Sequence, residues 1–254
     1  MTEETQQPVA VASAGVQNDF LIGLVGKATA GKTASLMHLD DHKGVLYLNC
    51  ESGKKPPFKN DFKHIVVTDP YAVYNYFQQL IDNPGKFHTV VIDSITYLMD
   101  MFETMYIIPA EDTRAAWGAY AQYFKKLMQY YIPLAKRVTI ITAHTLDTVN
   151  KESIRETAIP IKGSLKNTGI ESYFSLVIAA KRMSVHSLSE YKNDLLTITD
   201  REKLLKYKHV LQTDLTPDTV FERLRAPIGL FSPEETFIDG NIQHVINRLK
   251  TFYA

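Results

Sequence analysis

The sequence has very little cysteine: Cys50 is the only one in 254 residues. A single cysteine excludes an internal disulfide and is typical of a reducing compartment. No apolar run approaches the roughly 18 residues that a membrane-spanning helix needs. The N-terminus also lacks the charged-then-apolar pattern of a secretory signal. We therefore expect a soluble, cytoplasmic protein that has no membrane partner.

The chain also has no net charge at neutral pH, because its 28 Lys and Arg balance its 28 Asp and Glu. A balanced chain has no general basic field, so any contact with nucleic acid must come from local loops. Hydrophobic residues make up 45% of the chain and charged residues 22%, a composition that can bury a core and that excludes disorder of the whole chain. The length fits one large α/β domain or two small ones.

From Phe20 onward, strand-like and helix-like patterns alternate, which predicts one α/β domain over 20–254. Such alternation is typical of a mostly parallel central sheet covered by helices on both faces. Residues 1–19 predict a flexible arm, in which 9–12 could alternatively add as a strand to a neighbouring subunit. Residues 145–169 show no clear periodicity and predict a long loop with a function or with order on binding. The predicted strands are 20–25, 45–49, 64–67, 89–93, 137–142, 173–180, 204–213 and 219–225. The predicted helices are 32–39, 70–82, 94–107, 112–131 and 241–253.

Behind the first predicted strand, Gly26 to Thr33 read GKATAGKT, which is the G-x-x-x-x-G-K-[ST] pattern of a phosphate-binding loop (P-loop). Its glycines let the backbone turn so that successive N–H groups point at a phosphate. Lys32 would reach the terminal phosphates, Thr33 would offer its hydroxyl to Mg²⁺, and the positive end of the following helix favours the anion. The predicted nucleotide-binding residues are Gly26, Lys27, Ala28, Thr29, Ala30, Gly31, Lys32, Thr33 and Ala34.

Two carboxylates follow later strands. Asp93 ends the apolar run TVVID, which we expect to be a strand adjacent to the P-loop strand. There it would hold the water shell of the Mg²⁺ that Thr33 ligates directly. Glu51 comes just after the second strand, at the sheet edge where ligands bind in such folds. A glutamate there could orient or deprotonate water beside a γ-phosphate. The alternative for Glu51 is an exposed loop acid.

These pieces resemble the RecA/DnaB-type ATPases, and most of all the phage-encoded RecA-like single-strand annealing ATPases. The resemblance runs from residue 20 to about 231 in the order of the family, through GLVGKATAGKT, YLNCESG, TVVIDSITYL, VTIITAH, IKGSLKNTGIESYFSLVIAA and VFERLRAPIGLF. RecA-type proteins take their catalytic glutamate from the end of a neighbouring strand, which is the position that Glu51 would have. AAA-type proteins place it directly after the metal-binding Asp, where this chain has Ser94. The resemblance implies an ATPase that uses ATP and Mg²⁺, is stimulated by single-stranded DNA and acts in recombination or annealing. Its compartment would be the host cytoplasm if a phage encodes it.

The resemblance also assigns roles to individual residues. Glu51 matches the catalytic glutamate, and His144 the polar position that senses the γ-phosphate. Arg223 and Arg225 match a K-x-R pair that reaches the phosphates of the neighbouring subunit. The alternatives are a structural histidine and ordinary surface arginines, and Arg in place of Lys changes the contact geometry. Arginines supplied in trans require head-to-tail assembly into a ring or a filament. The candidate catalytic residues are therefore Lys32, Glu51, His144, Arg223 and Arg225.

Residues 145–169 correspond to the second DNA-binding loop of the family. Its acidic residues leave a net of only about one positive charge, which is feeble for nucleic acid unless an assembly repeats it. A solvated loop is the alternative. Trp117 and Tyr120 could stack on unpaired bases, but their helical spacing favours the core. The candidate DNA-binding residues are Lys151, Arg155, Lys162 and Lys166.

Two other functions stay open at this point. One is a RecA-like ATPase that acts as a protein-directed switch or loader, which the neutral charge favours. The other is a small-molecule P-loop kinase, but that needs a lid with several arginines, and residues 183–203 contain only Arg201. No separate DNA-binding domain is visible, which suggests a partner such as a single-strand-binding protein.

Overall fold

The structure is a computed structural model that describes residues 18–149 and 153–254. The predicted N-terminal arm lies outside the described residues except for Asn18 and Asp19. The strands are β1 (Leu21–Gly26), β2 (Val45–Asn49), β3 (Lys63–Val66), β4 (Thr89–Asp93), β5 (Val138–His144), β6 (Leu146–Val149), β7 (Arg155–Ala158), β8 (Leu176–Ser184), β9 (Tyr207–Gln212) and β10 (Phe237–Asp239). The helices are α1 (Lys32–Ser35), α2 (Pro70–Asp82), α3 (Ile95–Phe102), α4 (Thr113–Lys126), α5 (Ile132–Ala135), α6 (Val185–Leu188), α7 (Asp200–Leu205) and α8 (Ile242–Phe252).

Eight strands form the central sheet, in the order β10-β9-β8-β1-β5-β4-β2-β3. The six strands from β8 to β3 pair in parallel, and β9 and β10 continue the sheet in antiparallel pairing. One apolar cluster packs α2, α3 and α4 on one face, and a second packs α8 and the turn after α1, with Leu36 and Leu39, on the other. The predicted α/β class, a mostly parallel sheet covered on both faces, is confirmed.

The position of Asp93 within the sheet differs from the prediction. Strand β5 lies between β1 and β4 and pairs in parallel with both, so the strand that carries Asp93 is not adjacent to the P-loop strand. Thr139 to Ala143 of β5 are buried on both faces of the sheet, as are the residues of β1 and β4 on either side. Such runs occupy the centre of parallel sheets. The carboxyl ends of β1, β5 and β4 consequently meet along one edge.

Three predictions about the second half of the chain differ from the structure. The predicted long loop 145–169 contains an antiparallel hairpin of β6 and β7, whose residues are exposed or half-buried and so lack an apolar period. The predicted strand 219–225 is irregular and makes only two isolated bridges, Glu222 to Thr157 and Arg225 to Val177. The predicted strand 204–213 begins only at Tyr207, because α7 ends there on a left-handed residue, Lys206.

Helix α2 shows why other bounds were predictable. The Asp69 carboxylate accepts a hydrogen bond from the N–H of Tyr71 at 2.8 Å, and Pro70 occupies the first helical position. Helices α3 and α4 each continue into a π-helical turn, at Glu103–Ile107 and Leu127–Tyr131. Within the described ranges, none of the helices has the length and hydropathy needed to cross a membrane.

Candidate nucleotide-binding site

The P-loop, Gly26–Thr33, connects β1 to α1 and depends on its two glycines. Gly26 has φ of +155°, and a Cβ built there would lie 2.6 Å from the carbonyl oxygen of Ala180 on β8. Gly31 has φ of +101°, in the left-handed region that glycine adopts without strain. The loop therefore runs close against β8 and leaves a cradle that side chains at these two positions would disturb.

Lys32 begins α1 and is 6% exposed. Its ammonium donates to the carbonyl oxygens of Gly26 at 2.9 Å and Lys27 at 3.0 Å. Burial lowers the pKa of Lys32, although the nearby carboxylates of Asp93 and Glu51 oppose that change. A buried ammonium whose partners in the loop are neutral carbonyl groups fits the recognition of an anion in the same loop.

The carboxylate of Asp93, at the end of β4, accepts hydrogen bonds from three hydroxyl groups. Thr33 donates at 3.0 Å and Tyr47 at 2.5 Å to one oxygen, and Thr142 donates at 2.5 Å to the other. Asp93, Tyr47 and Thr142 are all buried, and burial raises the pKa of Tyr47 far above its usual value. The structure therefore brings Thr33 and Asp93 together, as predicted, although β5 separates their strands.

A hydroxyl and a carboxylate are hard oxygen donors of the kind that Mg²⁺ takes. In residues 18–149 and 153–254, no cluster of three or more His, Cys, Asp or Glu side chains could hold a metal ion by itself. Magnesium is usually held by one or two protein oxygens together with substrate phosphates and water. Thr33 and Asp93 thus fit a Mg²⁺ ion that is bound with a nucleotide, and the ion would neutralise charge on the phosphates there.

Glu51 lies just beyond β2 in a turn that Asn49 shapes. The Asn49 side chain accepts from the N–H of Glu51 at 2.9 Å and donates to the carbonyl of Lys54 at 2.7 Å. In the same region, a carboxylate oxygen of Glu51 lies 3.3 Å from Nε2 of His144, and Nδ1 of His144 lies 3.4 Å from the Lys32 ammonium. The imidazole is therefore between Lys32 and Glu51.

The partners of His144 define its orientation. If Nδ1 accepts from the Lys32 ammonium, Nε2 carries the proton and donates to Glu51. The backbone N–H of His144 is fixed by the Thr96 hydroxyl at 2.9 Å. The hydrogen bond from His144 is the largest factor lowering the pKa of Glu51, with help from Lys54 and Lys32 and against the effect of burial. Glu51 is therefore held as a carboxylate, the form that can accept a proton or orient water.

The P-loop is also tied to the β6–β7 hairpin through Asp147 on β6. The Lys27 ammonium lies 2.6 Å from the Asp147 carboxylate, Thr157 donates to it at 2.8 Å, and Arg155 forms an ion pair with it. The hydrogen bond from Lys27, followed by that from Arg155, holds the pKa of Asp147 well below its usual range. One carboxylate therefore joins the P-loop to both strands of the hairpin.

A cavity of about 810 Å³ is lined by residues of the P-loop and by Arg223, but not by Arg225. Arg223, which lines that cavity, lies 3.7 Å from both Glu156 and Glu171. Arg225 donates to the carbonyl of Ser172 at 3.1 Å. Among the contacts of the described residues, neither guanidinium pairs with Glu51 or the P-loop of its own chain. Both are exposed or half-exposed, as arginines that contact another subunit must be.

Two of the four DNA-binding candidates, Arg155 and Lys162, form ion pairs with carboxylates of the same chain. Arg155 is paired with Asp147, and Lys162 is paired with Asp100 at 3.1 Å and with Glu103. The hydrogen bond from Lys162 to Glu103 raises the pKa of that lysine. Both cations are therefore neutralised within the chain.

Lys166 is exposed and, within the part of the chain that the structure covers, forms no salt bridge. Lys151 lies outside the described residues. Tyr120 is fully buried and Trp117 is half-buried against the same core. The prediction that Tyr120 belongs to the core, and is not free to stack on a base, is thus confirmed.

Sequence reasoning missed three residues that support the site: Tyr47, Thr142 and Asp147. Tyr47 and Thr142 lie on β2 and β5, the two neighbours of β4, and both interrupt apolar runs with a hydroxyl. Those interruptions were the available signal, but they point at Asp93 only when the strand order is known. Asp147 was counted in the loop charge, but a charge count does not show a link to the P-loop.

Comparison with known proteins supports a P-loop ATPase domain and does not decide between the RecA-type and the AAA-type position of the glutamate. No curated protein matches the chain. A protein family described as AAA domain matches residues 20–220, a range that contains the P-loop, Asp93, Glu51 and His144. The chain therefore belongs to the AAA domain family and carries an ATPase-type domain with a P-loop.

Proposed function

We propose that this chain is an ATP-dependent recombination or annealing protein that binds single-stranded DNA and shares its ATP sites between subunits. One observation carries the proposal: Glu51 comes from β2, the strand that pairs with the Asp93 strand β4, and His144 links Glu51 to Lys32. A glutamate supplied by the neighbouring strand is the RecA-type arrangement that the sequence resembles.

The residues of this chain would divide the reaction among them. Lys32 and the P-loop bind the β- and γ-phosphates of ATP, and Thr33 and Asp93 hold Mg²⁺. Glu51 takes a proton from the water that attacks the γ-phosphorus, while the bond from phosphorus to the ADP oxygen breaks. His144 orients Glu51, and Arg223 and Arg225 of a neighbouring subunit stabilise the charge that develops.

The connection from the P-loop to the β6–β7 hairpin supports a nucleotide-dependent change in DNA binding. Lys27 belongs to the P-loop and also pairs with Asp147 of the hairpin, so a ligand in the loop competes for the same ammonium. Segments that are ordered by a γ-phosphate and released by hydrolysis are common among nucleotide-binding proteins. Lys166 is the exposed cation best placed on the following segment to contact a DNA phosphate.

A second candidate, an ATPase directed at another protein, is favoured by one observation. Arg155 and Lys162 are neutralised by carboxylates of the same chain, and the net charge is zero. A DNA-binding surface would have to break those ion pairs, whereas a surface that recognises a protein would not.

ATP hydrolysis with and without single-stranded DNA, at low and moderate salt, separates the two. The proposal expects stimulation that falls as salt rises, and loss of turnover in Lys32→Ala. Lys166→Ala should weaken DNA binding. It should also reduce the slope of log affinity against log salt concentration by about one, the value for one lost phosphate contact. Lys250→Ala, an exposed lysine on α8, is the matched control. Steady turnover that ignores DNA would favour the protein-directed ATPase, and turnover in Lys32→Ala would contradict both.

A further inference from the structure

Three side chains of β8 and β9 lie together beside the P-loop. Arg182 on β8 pairs in register with His209 on β9, and Tyr207 lies two residues before His209 on the same strand. Residues two apart on a strand point to the same face of a sheet. The guanidinium carbon of Arg182 lies 5.6 Å from the centre of the Tyr207 ring, and the rings of Tyr207 and His209 meet edge to face at 5.8 Å.

His209 connects this group to the P-loop. Its Nδ1 lies 3.0 Å from the carbonyl oxygen of Ala30. A Cβ built on Gly31 would lie 3.0 Å from the same nitrogen, so the imidazole rests against the turn where α1 begins. Tyr207, one ring further out, is 37% exposed. An aromatic ring capped by a cation is therefore open to solvent one side chain away from the phosphate-binding turn.

We propose that the base of a bound nucleoside triphosphate stacks against Arg182 and Tyr207. The inference rests on the proposed function, since it requires the triphosphate to occupy the P-loop. Strand β8 is parallel to β1, and ligands of such sheets lie across the carboxyl ends of the strands. A planar base stacks on aromatic rings and guanidinium groups. The pair is thus a base-binding platform built from the two strands next to the loop.

The proposal also predicts the specificity of the site. Stacking uses the π-face that every base has, and it distinguishes bases only weakly. We therefore expect the platform to contribute to the binding of ATP and of GTP alike, and not to the binding of inorganic tripolyphosphate, which has no base.

Calorimetry with ATP and with tripolyphosphate, in the presence of Mg²⁺, tests the platform. Tyr207→Ala should bind ATP about tenfold more weakly or worse and tripolyphosphate as the wild type does. Tyr207→Phe keeps the ring and should bind both normally. Tyr253→Ala, which removes a tyrosine that is 42% exposed elsewhere, should change neither. Arg182→Ala should bind ATP about fivefold more weakly and tripolyphosphate as the wild type does. It replaces Tyr207→Ala if that variant does not fold.

The two proposals fail in different ways. Wild-type affinity for ATP in both Tyr207→Ala and Arg182→Ala would overturn the base platform, and so would an equal loss of ATP and tripolyphosphate binding in folded variants. Lys32→Ala should lose both ligands, because it removes the phosphate contact itself. If Lys32→Ala binds both ligands as the wild type does, or if the wild type binds neither ligand, the proposed function is overturned, and the platform with it.

Discussion

The ammonium of Lys27 lies 2.6 Å from the carboxylate of Asp147, which links the P-loop to the β6–β7 hairpin. Lys27 is a variable position of the loop pattern, yet its side chain is the one that leaves the loop and reaches the hairpin. Asp147 also binds Arg155 and Thr157. Lys27 therefore joins the P-loop directly to a residue that fixes both strands of the hairpin.

Asp147→Asn tests this link. The amide keeps the size of the side chain but loses the charge that holds Lys27 and Arg155, so the hairpin should open more often. We expect hydrogen exchange at the amides of β6 and β7 to become about fivefold faster, which corresponds to about 1 kcal/mol. Exchange in β1 and β5 should not change.

The control for this variant is Asp200→Asn. Asp200 is an exposed aspartate that pairs with Lys203 on α7, so it removes a similar surface ion pair away from the hairpin. It should leave exchange in β6 and β7 unchanged. If both variants speed exchange equally, or if neither does, the Lys27 to Asp147 contact does not hold the hairpin.

The same carboxylate predicts a pH dependence of stability. Lys27 and Arg155 hold the pKa of Asp147 below its unfolded value near 3.8. A group whose pKa is lower in the folded state contributes stability above its unfolded pKa and loses it as the pH falls through the folded pKa. Thermal melts should thus show wild type more stable than Asp147→Asn by about 1 kcal/mol near neutral pH, with a difference that shrinks below about pH 4. A difference that grows in acid would have the wrong sign.

Tyr47 positions the carboxylate of Asp93, and Tyr47→Phe should show that role. The variant removes a 2.5 Å hydrogen bond to a buried carboxylate, at a cost of about 2 kcal/mol of stability. If the hydroxyl also fixes Asp93 for Mg²⁺, half-maximal ATP hydrolysis should need about ten times more Mg²⁺, as for other residues that orient a metal ligand. The measurement is turnover against Mg²⁺ concentration at saturating ATP.

Tyr74→Phe is the matched control for Tyr47→Phe. The Tyr74 hydroxyl donates at 2.6 Å to the carbonyl of Tyr123, so this variant also loses a buried hydrogen bond but has no contact with Asp93. It should lower stability without changing the Mg²⁺ requirement. An unchanged Mg²⁺ requirement in Tyr47→Phe would mean that the tyrosine serves stability alone.

Local signals predicted a large part of the fold. The bounds 45–49, 70–82 and 89–93 match β2, α2 and β4 residue for residue. Each is marked by neighbours in the chain, such as the Asp69-Pro70 start of α2 or the continuous apolar run of β4. The P-loop was equally predictable, because its glycines and Lys32 act through local backbone geometry.

What the sequence could not predict depends on pairing between distant segments. The insertion of β5 between β1 and β4 is decided by which strands meet, and no local pattern encodes that choice. The β6–β7 hairpin has too few buried side chains to show a period. Lys162 looked like a free cation, because its partners Asp100 and Glu103 lie about 60 positions earlier in the chain.

Two glycines should respond in opposite directions to the same change. Gly26→Ala places a Cβ 2.6 Å from the Ala180 carbonyl at a φ of +155°, so it should lower stability by at least about 2 kcal/mol. Gly118, inside α4, has no atom within 4 Å of an added Cβ, and Gly118→Ala should raise stability by about 0.5–1 kcal/mol. Chemical denaturation of the three proteins measures both. A neutral Gly26→Ala would contradict the close approach of the P-loop to β8.

Sharing of the ATP site between subunits can be tested by mixing two inactive variants. Glu51→Gln lacks the base, and Arg225→Ala lacks the proposed trans arginine, so each alone should bind ATP but hydrolyse little. In a mixed assembly, some interfaces combine Glu51 of one subunit with Arg225 of the next, and about a quarter of the wild-type turnover should return at equal mixing. Arg201→Ala, an exposed arginine on α7, should stay active alone. If the mixture stays inactive while both variants bind ATP and still assemble, Arg225 does not act across the subunit boundary, because a residue acting within its own chain cannot complement in trans.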